Sequence, residues 1–152
     1  MLDLSNYLPY LLNRAGSRIA AEFSRAVRDH DITLPIWRVL AALDHRDGQR
    51  VGELAELTAI EISTLSRVLD LMQRKGLAKR RRLPGDARSV VVYLTARGRQ
   101  LTQRIIPLAR RYETVALAGF SEAEAAMLKS MLQQLYRNLA ALPQPTELPR
   151  GA

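Results

Sequence analysis

The chain has no cysteine. That absence excludes a disulfide framework, a thiol nucleophile, a thiolate metal site and a cysteine redox switch. Histidine is nearly absent too, with only His30 and His45. Both sit in helix-end or turn sequences, Asp29-His30-Asp31 and Asp44-His45-Arg46-Asp47, so no metal and no cofactor are expected. No apolar run approaches the roughly 18 residues of a membrane span, and no membrane partner is expected. The first residues, Met1-Leu2-Asp3-Leu4, place no basic region ahead of the apolar ones. A secretory leader is therefore not expected, and the expected address is the cytoplasm. Glycine-rich phosphate loops, a G-x-S-x-G elbow and an H-E-x-x-H helix are all missing, so the chain does not read as an enzyme.

What is present is a folded composition: 152 residues, 47% apolar and 25% charged, enough for one domain with helical arms. The net charge is +8, and its location is informative. Residues 60–99 carry ten basic side chains against three acidic ones, a net +7, and leave +1 for the rest of the chain. A polyanion is the simplest partner for so concentrated a stripe inside a segment that also reads as folded. Arginine outnumbers lysine twenty to three, and its fork suits phosphates and guanine edges.

Hydrophobic periodicity predicts mostly helix. Leu11, Ala15, Ile19, Phe23 and Val27 form an i+4 stripe over residues 8–28. Thr33 and Pro35 mark the start of a second helix whose inward side holds Ile36, Trp37, Leu40 and Leu43. A short helix over 51–57, a turn at Thr58-Ala59-Ile60 and a second helix over 62–75, stopped by Gly76, make a helix-turn-helix candidate. Next come a strand over 77–82, the turn Leu83-Pro84-Gly85-Asp86 and a β-branched run over 89–94. A basic β-hairpin directly after the second helix is the wing of a winged helix. A long helix over 96–118 contains Pro107, which should bend it. Gly119 ends it, and Ser121 with Glu124 caps a last helix through Leu142.

The expected fold is therefore mostly α with a small β-wing, a winged helix-turn-helix over 35–95 flanked by dimerisation helices over 1–34 and 96–142, with a flexible tail over 143–152. The long terminal helices expose more apolar stripe, including Leu128, Leu132, Leu135 and Leu139, than a small winged helix buries. A second copy of the chain is the simplest cover, so a homodimer is expected.

Recognition helices read bases with their N-terminal turns. Here that selects Ser63, Thr64, Ser66 and Arg67, with the helix amide end favouring a nearby phosphate and Arg67 suited to guanine. On the first wing strand, alternation points Arg80 and Arg82 one way and Lys79 and Arg81 the other, and the first pair is assigned to DNA. Asp86 reads as a brace for the turn.

Val51-Gly52-Glu53-Leu54-Ala55-Glu56, Ile60 to Arg67 and Arg74-Lys75-Gly76-Leu77 resemble the helix-turn-helix of the MarR family of bacterial regulators. Asp86-Ala87-Arg88-Ser89 and Leu94-Thr95-Ala96-Arg97-Gly98 resemble its wing and the entry to its fifth helix. The resemblance implies a homodimeric repressor on a pseudo-palindromic operator in double-stranded DNA, with Arg88 entering the minor groove. It also implies a cleft between the DNA-binding and dimerisation regions. Tyr10, Arg14 and Trp37 lie on helices that line that cleft, and a small aromatic or phenolic ligand held there would release the repressor. The missing cysteine excludes the family's peroxide-sensing branch. The alternative reading is a winged-helix adaptor for other proteins that does not bind DNA specifically; a +7 stripe counts against it.

Overall fold

A computed structural model describes residues 2–142, apart from the side chains of Ala87 and Arg88. The expected flexible tail, 143–152, lies outside the described residues. The elements run α1 (Leu8–Val27), α2 (Leu34–His45), β1 (Gln49–Arg50), α3 (Val51–Thr58), α4 (Ile62–Arg74), β2 (Ala78–Leu83), β3 (Asp86–Leu94), α5 (Ala96–Ala116) and α6 (Glu122–Ala140). The strands form an antiparallel sheet in the order β1-β3-β2. The fold is thus mostly helical with a small sheet, as its periodicities predict. Two compact units divide it, Met1–Glu113 and Thr114–Ala152.

The core lies in the first unit. Phe23 and Val27 from α1 join Ile36, Val39, Leu40 and Leu43 from α2, and Leu65, Leu69 and Met72 from α4 close over them. Only the last turns of α1 reach this core, for Leu8, Leu11, Leu12 and Ile19 are exposed. Thr33 takes the expected position before α2, but its hydroxyl makes no capping bond, and Pro35 in the first turn presets the helical backbone instead.

The strand β1 has no counterpart in the sequence reading. Asp47-Gly48 turns the chain, with Gly48 at φ 71, and two residues then pair with Val91 and Val92 of β3. Gln49 there is buried, and its side-chain amide donates to the carbonyls of Ala42 and Arg46 at 2.7 Å each. It adds a second donor to Ala42 O, which also accepts from Arg46 N–H, and engages the Arg46 carbonyl just beyond α2.

The joint between wing and α5 explains the Leu94-Thr95-Ala96-Arg97-Gly98 run. The Thr95 hydroxyl donates to Gly76 O at 2.6 Å and accepts from Gly98 N–H at 3.0 Å, capping α5 on the end of α4. A Cβ at Gly98 would stand 2.1 Å from Leu77 O, so only glycine lets the two backbones approach this closely. α5 runs on through Pro107 as one helix.

In the second unit, Gly119 at φ 88 ends the preceding helix and a capping box opens α6. Ser121 N–H donates to Glu124 Oε2 at 2.8 Å, and Glu124 N–H to Ser121 Oγ at 3.2 Å. No residue of α6 is buried; Met127, Met131, Leu132 and Leu139 are all exposed.

Candidate nucleic-acid interface

The helix-turn-helix is α3, a short turn and α4. Ala59 makes the turn in the left-handed region, φ 53 and ψ 38, where glycine is the usual residue. The backbone is held there because Ala59 N–H donates to Glu56 O and Ile60 N–H to Ala55 O, while Ile60 is buried in the core. On α4 the inward side chains Leu65, Leu69 and Met72 recur at i, i+4 and i+7. That phase leaves Ser63, Thr64, Ser66 and Arg67 exposed together at the N-terminal end of the helix. Arg67 makes no hydrogen bond or ion pair with another described residue.

The structure corrects one expectation. The amides at the start of α4 do not stand open to a phosphate. Glu61 caps them, its carboxylate accepting from Ser63 N–H at 3.1 Å and Thr64 N–H at 3.2 Å, and it also takes the Ser63 hydroxyl in a short hydrogen bond. These bonds, the Ser63 hydroxyl foremost, hold the Glu61 carboxyl below the usual glutamate range. The signal for this cap is an acidic residue immediately ahead of a helix, which a turn ending at Ile60 leaves unassigned.

The wing pairs β2 with β3 in the register Lys79↔Tyr93, Arg80↔Val92, Arg81↔Val91 and Arg82↔Val90, with an irregularity between Arg82 and Leu83. Gly85 makes the tip at φ 83. Arg80 lies on the face of β2 that covers α4. Its guanidinium reaches Asp70 Oδ1 at 2.5 Å and Ser66 O at 2.8 Å, so the fork assigned to DNA is occupied by the recognition helix itself. Arg82 follows on the same side of the strand, exposed and without a hydrogen bond or ion pair to a described residue. Arg81, on the opposite side, lies 5.9 Å from the Tyr93 ring centroid. Asp86 is exposed at the start of β3, opposite Leu83. The Arg88 side chain lies outside the described residues.

The three residues expected around a ligand do not come together within the chain. Arg14 stands over the Tyr10 ring at 5.6 Å, both exposed on the early turns of α1. Trp37 instead packs on Phe23 at 5.7 Å, and Phe23 meets Tyr112 edge-on at 5.4 Å. Phe23 is thirteen residues beyond Tyr10 on one helix, a displacement of roughly 20 Å. Sequence reasoning misses Phe23 and Tyr112 as members of an aromatic group, because only three-dimensional packing joins them to Trp37. Among the described residues, no group of three histidine or acidic side chains is placed to hold a metal ion. Among them also, no helix is long and apolar enough to cross a membrane.

A helix-turn-helix whose exposed hydroxyl and arginine face adjoins an arginine-rich hairpin defines the winged-helix class of DNA-binding regulators. Residues 30–89 match the profile of the MarR family. The chain is 30% identical to an HTH-type transcriptional repressor of Mycobacterium tuberculosis over 84% of its own length and 92% of the relative's. It resembles the crystal structure of a MarR-family regulator from Silicibacter pomeroyi with a TM-score of 0.83 and 31% identity, covering 93% of this chain and 96% of that one. It also resembles BpsR of Bordetella bronchiseptica, whose DNA binding is regulated by 6-hydroxynicotinic acid, with a TM-score of 0.77, 27% identity, and coverage of 85% and 98%. This chain belongs to the MarR family.

Proposed function

We propose that the chain is a homodimeric transcriptional repressor that reads a pseudo-palindromic operator in double-stranded DNA. The observation that carries the reading is the exposed group Ser63, Thr64, Ser66 and Arg67 on α4 beside the exposed Arg82 of the wing. In this reading Arg67 reads a base edge, Arg82 and Arg88 hold the backbone or minor groove, Asp86 braces the wing, and Arg80 positions the hairpin rather than touching DNA. Residues 35–95 form the DNA-binding part, and residues 1–34 and 96–142 the dimerisation part.

The bare apolar side chains early on α1 and along α6 support self-association. Two recognition helices then address half-sites about one turn of DNA apart, roughly 34–36 Å. Fluorescence anisotropy with duplexes from the DNA upstream of the gene, against random duplexes, tests the whole. Arg67→Ala should relax base preference at one position per half-site. Arg82→Ala should weaken all sequences alike and reduce the salt slope by roughly 0.9 for each phosphate that is no longer neutralised. Equal weakening on specific and random DNA by Arg67→Ala overturns its assignment, and no preference for any upstream segment favours the adaptor reading.

For the effector, the reading keeps a small aromatic or phenolic compound that lowers operator affinity, as 6-hydroxynicotinic acid regulates BpsR. The Phe23, Trp37 and Tyr112 group supports it better than the separate Tyr10–Arg14 pair. Trp37 is the only tryptophan, so its fluorescence reports binding directly. A compound that quenches Trp37 and leaves operator affinity unchanged overturns the effector role, and Arg14→Ala tests whether the cation takes part.

A further inference from the structure

The first turn of α4 carries a side chain for which neither the core nor the hydroxyl and arginine contacts have a use. Ile62 opens the helix and is 58% exposed. Leu69, seven residues on and so nearly in line with it along the helix, is fully buried. The stripe that anchors α4 begins at Leu65, and Ile62 projects beyond the core instead of into it. Left bare in water, its apolar surface does little for the fold.

Its neighbours on the helix surface are Ser63, Ser66 and Arg67. Positions i, i+1, i+4 and i+5 make one patch, and all four residues are exposed. The patch lies at the end that a recognition helix presents to the major groove. Glu61 closes the Ser63 and Thr64 amides with its carboxylate, so a phosphate meets two occupied donors and a negative charge there. The next residue after that cap is aliphatic. Base pairs present hydrogen-bond donors and acceptors in the major groove, and one apolar group, the thymine C5-methyl.

We propose that Ile62 reads a thymine in each half-site by packing its side chain on the C5-methyl, a base contact distinct from that of Arg67. The inference rests on the operator reading above and adds a base to it. Five residues separate Ile62 from Arg67, roughly 7.5 Å along the helix, against about 3.4 Å for each base-pair step. The thymine should therefore stand within about three base pairs of the one that Arg67 reads. The short hydroxyl side chains of Ser63 and Ser66 leave the isoleucine room for that approach.

Uracil in place of thymine removes this methyl and leaves the pairing edge unchanged. The upstream duplex that the full chain prefers over random DNA is remade with uracil at one thymine at a time, and affinity is read by fluorescence anisotropy. At one position per half-site the exchange should weaken binding about three- to fivefold, as expected when one methyl group is no longer buried. Ile62→Ala, which keeps the fold because Ile62 buries little of its surface, should bind the thymine and uracil duplexes alike at that position. Leu57→Ala, the loss of an equally bare aliphatic on the other side of the turn, should keep the wild-type dependence. No thymine whose methyl matters, a dependence that survives in Ile62→Ala, or one lost equally in Leu57→Ala overturns the proposal and leaves the operator reading standing. No preference for any upstream duplex overturns the operator reading itself, and the thymine contact with it.

Discussion

Arg80 on the first wing strand and Asp70 on the recognition helix stand 2.5 Å apart, and the same guanidinium donates to Ser66 O at 2.8 Å. The fork therefore joins two elements that must meet DNA in a set relation. A wing held by one bidentate arginine keeps its orientation without a larger core beneath it, since β2 offers few buried side chains.

This joint separates bracing from direct contact. If Arg80 touched DNA, Asp70→Asn would free its fork, remove a negative charge near the phosphates and tighten binding. As a brace, Asp70→Asn should weaken operator binding, and so should Arg80→Ala. The pair is partly exposed, so its contribution to global stability should be only about 0.5–1 kcal/mol. Operator titrations of both variants, with urea melts alongside, decide the matter.

Gly98→Ala should be among the most damaging single changes. The added carbon meets Leu77 O at 2.1 Å, and the obstacle is backbone, which cannot swing aside. A loss of at least about 1–3 kcal/mol is expected in chemical denaturation, with poor operator binding because α4 and α5 join there.

Ala59→Gly should do the opposite. Alanine at φ 53 carries a left-handed strain of roughly 1–2 kcal/mol, offset in part by the greater freedom glycine has when unfolded. A modest rise in melting temperature is expected; a fall would mean that the turn is not strained.

Acid should act through the caps. Glu61 at α4 and Glu124 at α6 both have carboxyls held below their ordinary range by hydrogen bonds, and Asp31 is held low by Lys75. A group whose folded pKa is depressed contributes stability above its unfolded pKa and loses it as pH falls through the folded value. Melting temperature should therefore drop as pH falls below the ordinary carboxylate range. Glu61→Gln should lie below wild type at neutral pH and converge with it in acid, whereas parallel curves would exclude the cap as a source.

Leu132→Glu places a charge on the bare face of α6. Wild type should scatter light at twice 17.1 kDa at micromolar concentration, and the variant nearer the single value, with operator affinity falling in proportion. A wild-type monomer would remove the dimer and its half-site geometry together.

Whatever depends on neighbours within a turn or two of chain is legible in the amino-acid order. The stripes place the six helices to within a few residues, Gly76 and Gly119 stop two of them, Ser121 and Glu124 form their capping box, and Pro84-Gly85 turns the wing. The Val51 to Gly98 motifs carry the family, and part of what they serve is local, as where Thr95 caps α5 by accepting from Gly98 N–H, whereas the carbonyl that Gly98 clears is that of Leu77, distant in sequence. Which charges remain unengaged is settled by tertiary packing instead. Arg80 and Arg82 are equivalent by alternation, yet one meets Asp70 across a helix and the other does not. The docking of α1 on the core separates Trp37 from Tyr10 and Arg14 and joins it to Phe23 and Tyr112, a distance no periodicity encodes. Gln49, in a two-residue strand, is held by its hydrogen bonds to the carbonyls of Ala42 and Arg46 at the end of α2. Periodicity reports which face of an element is apolar; what that face and its charged rim meet depends on the packing of elements distant in sequence.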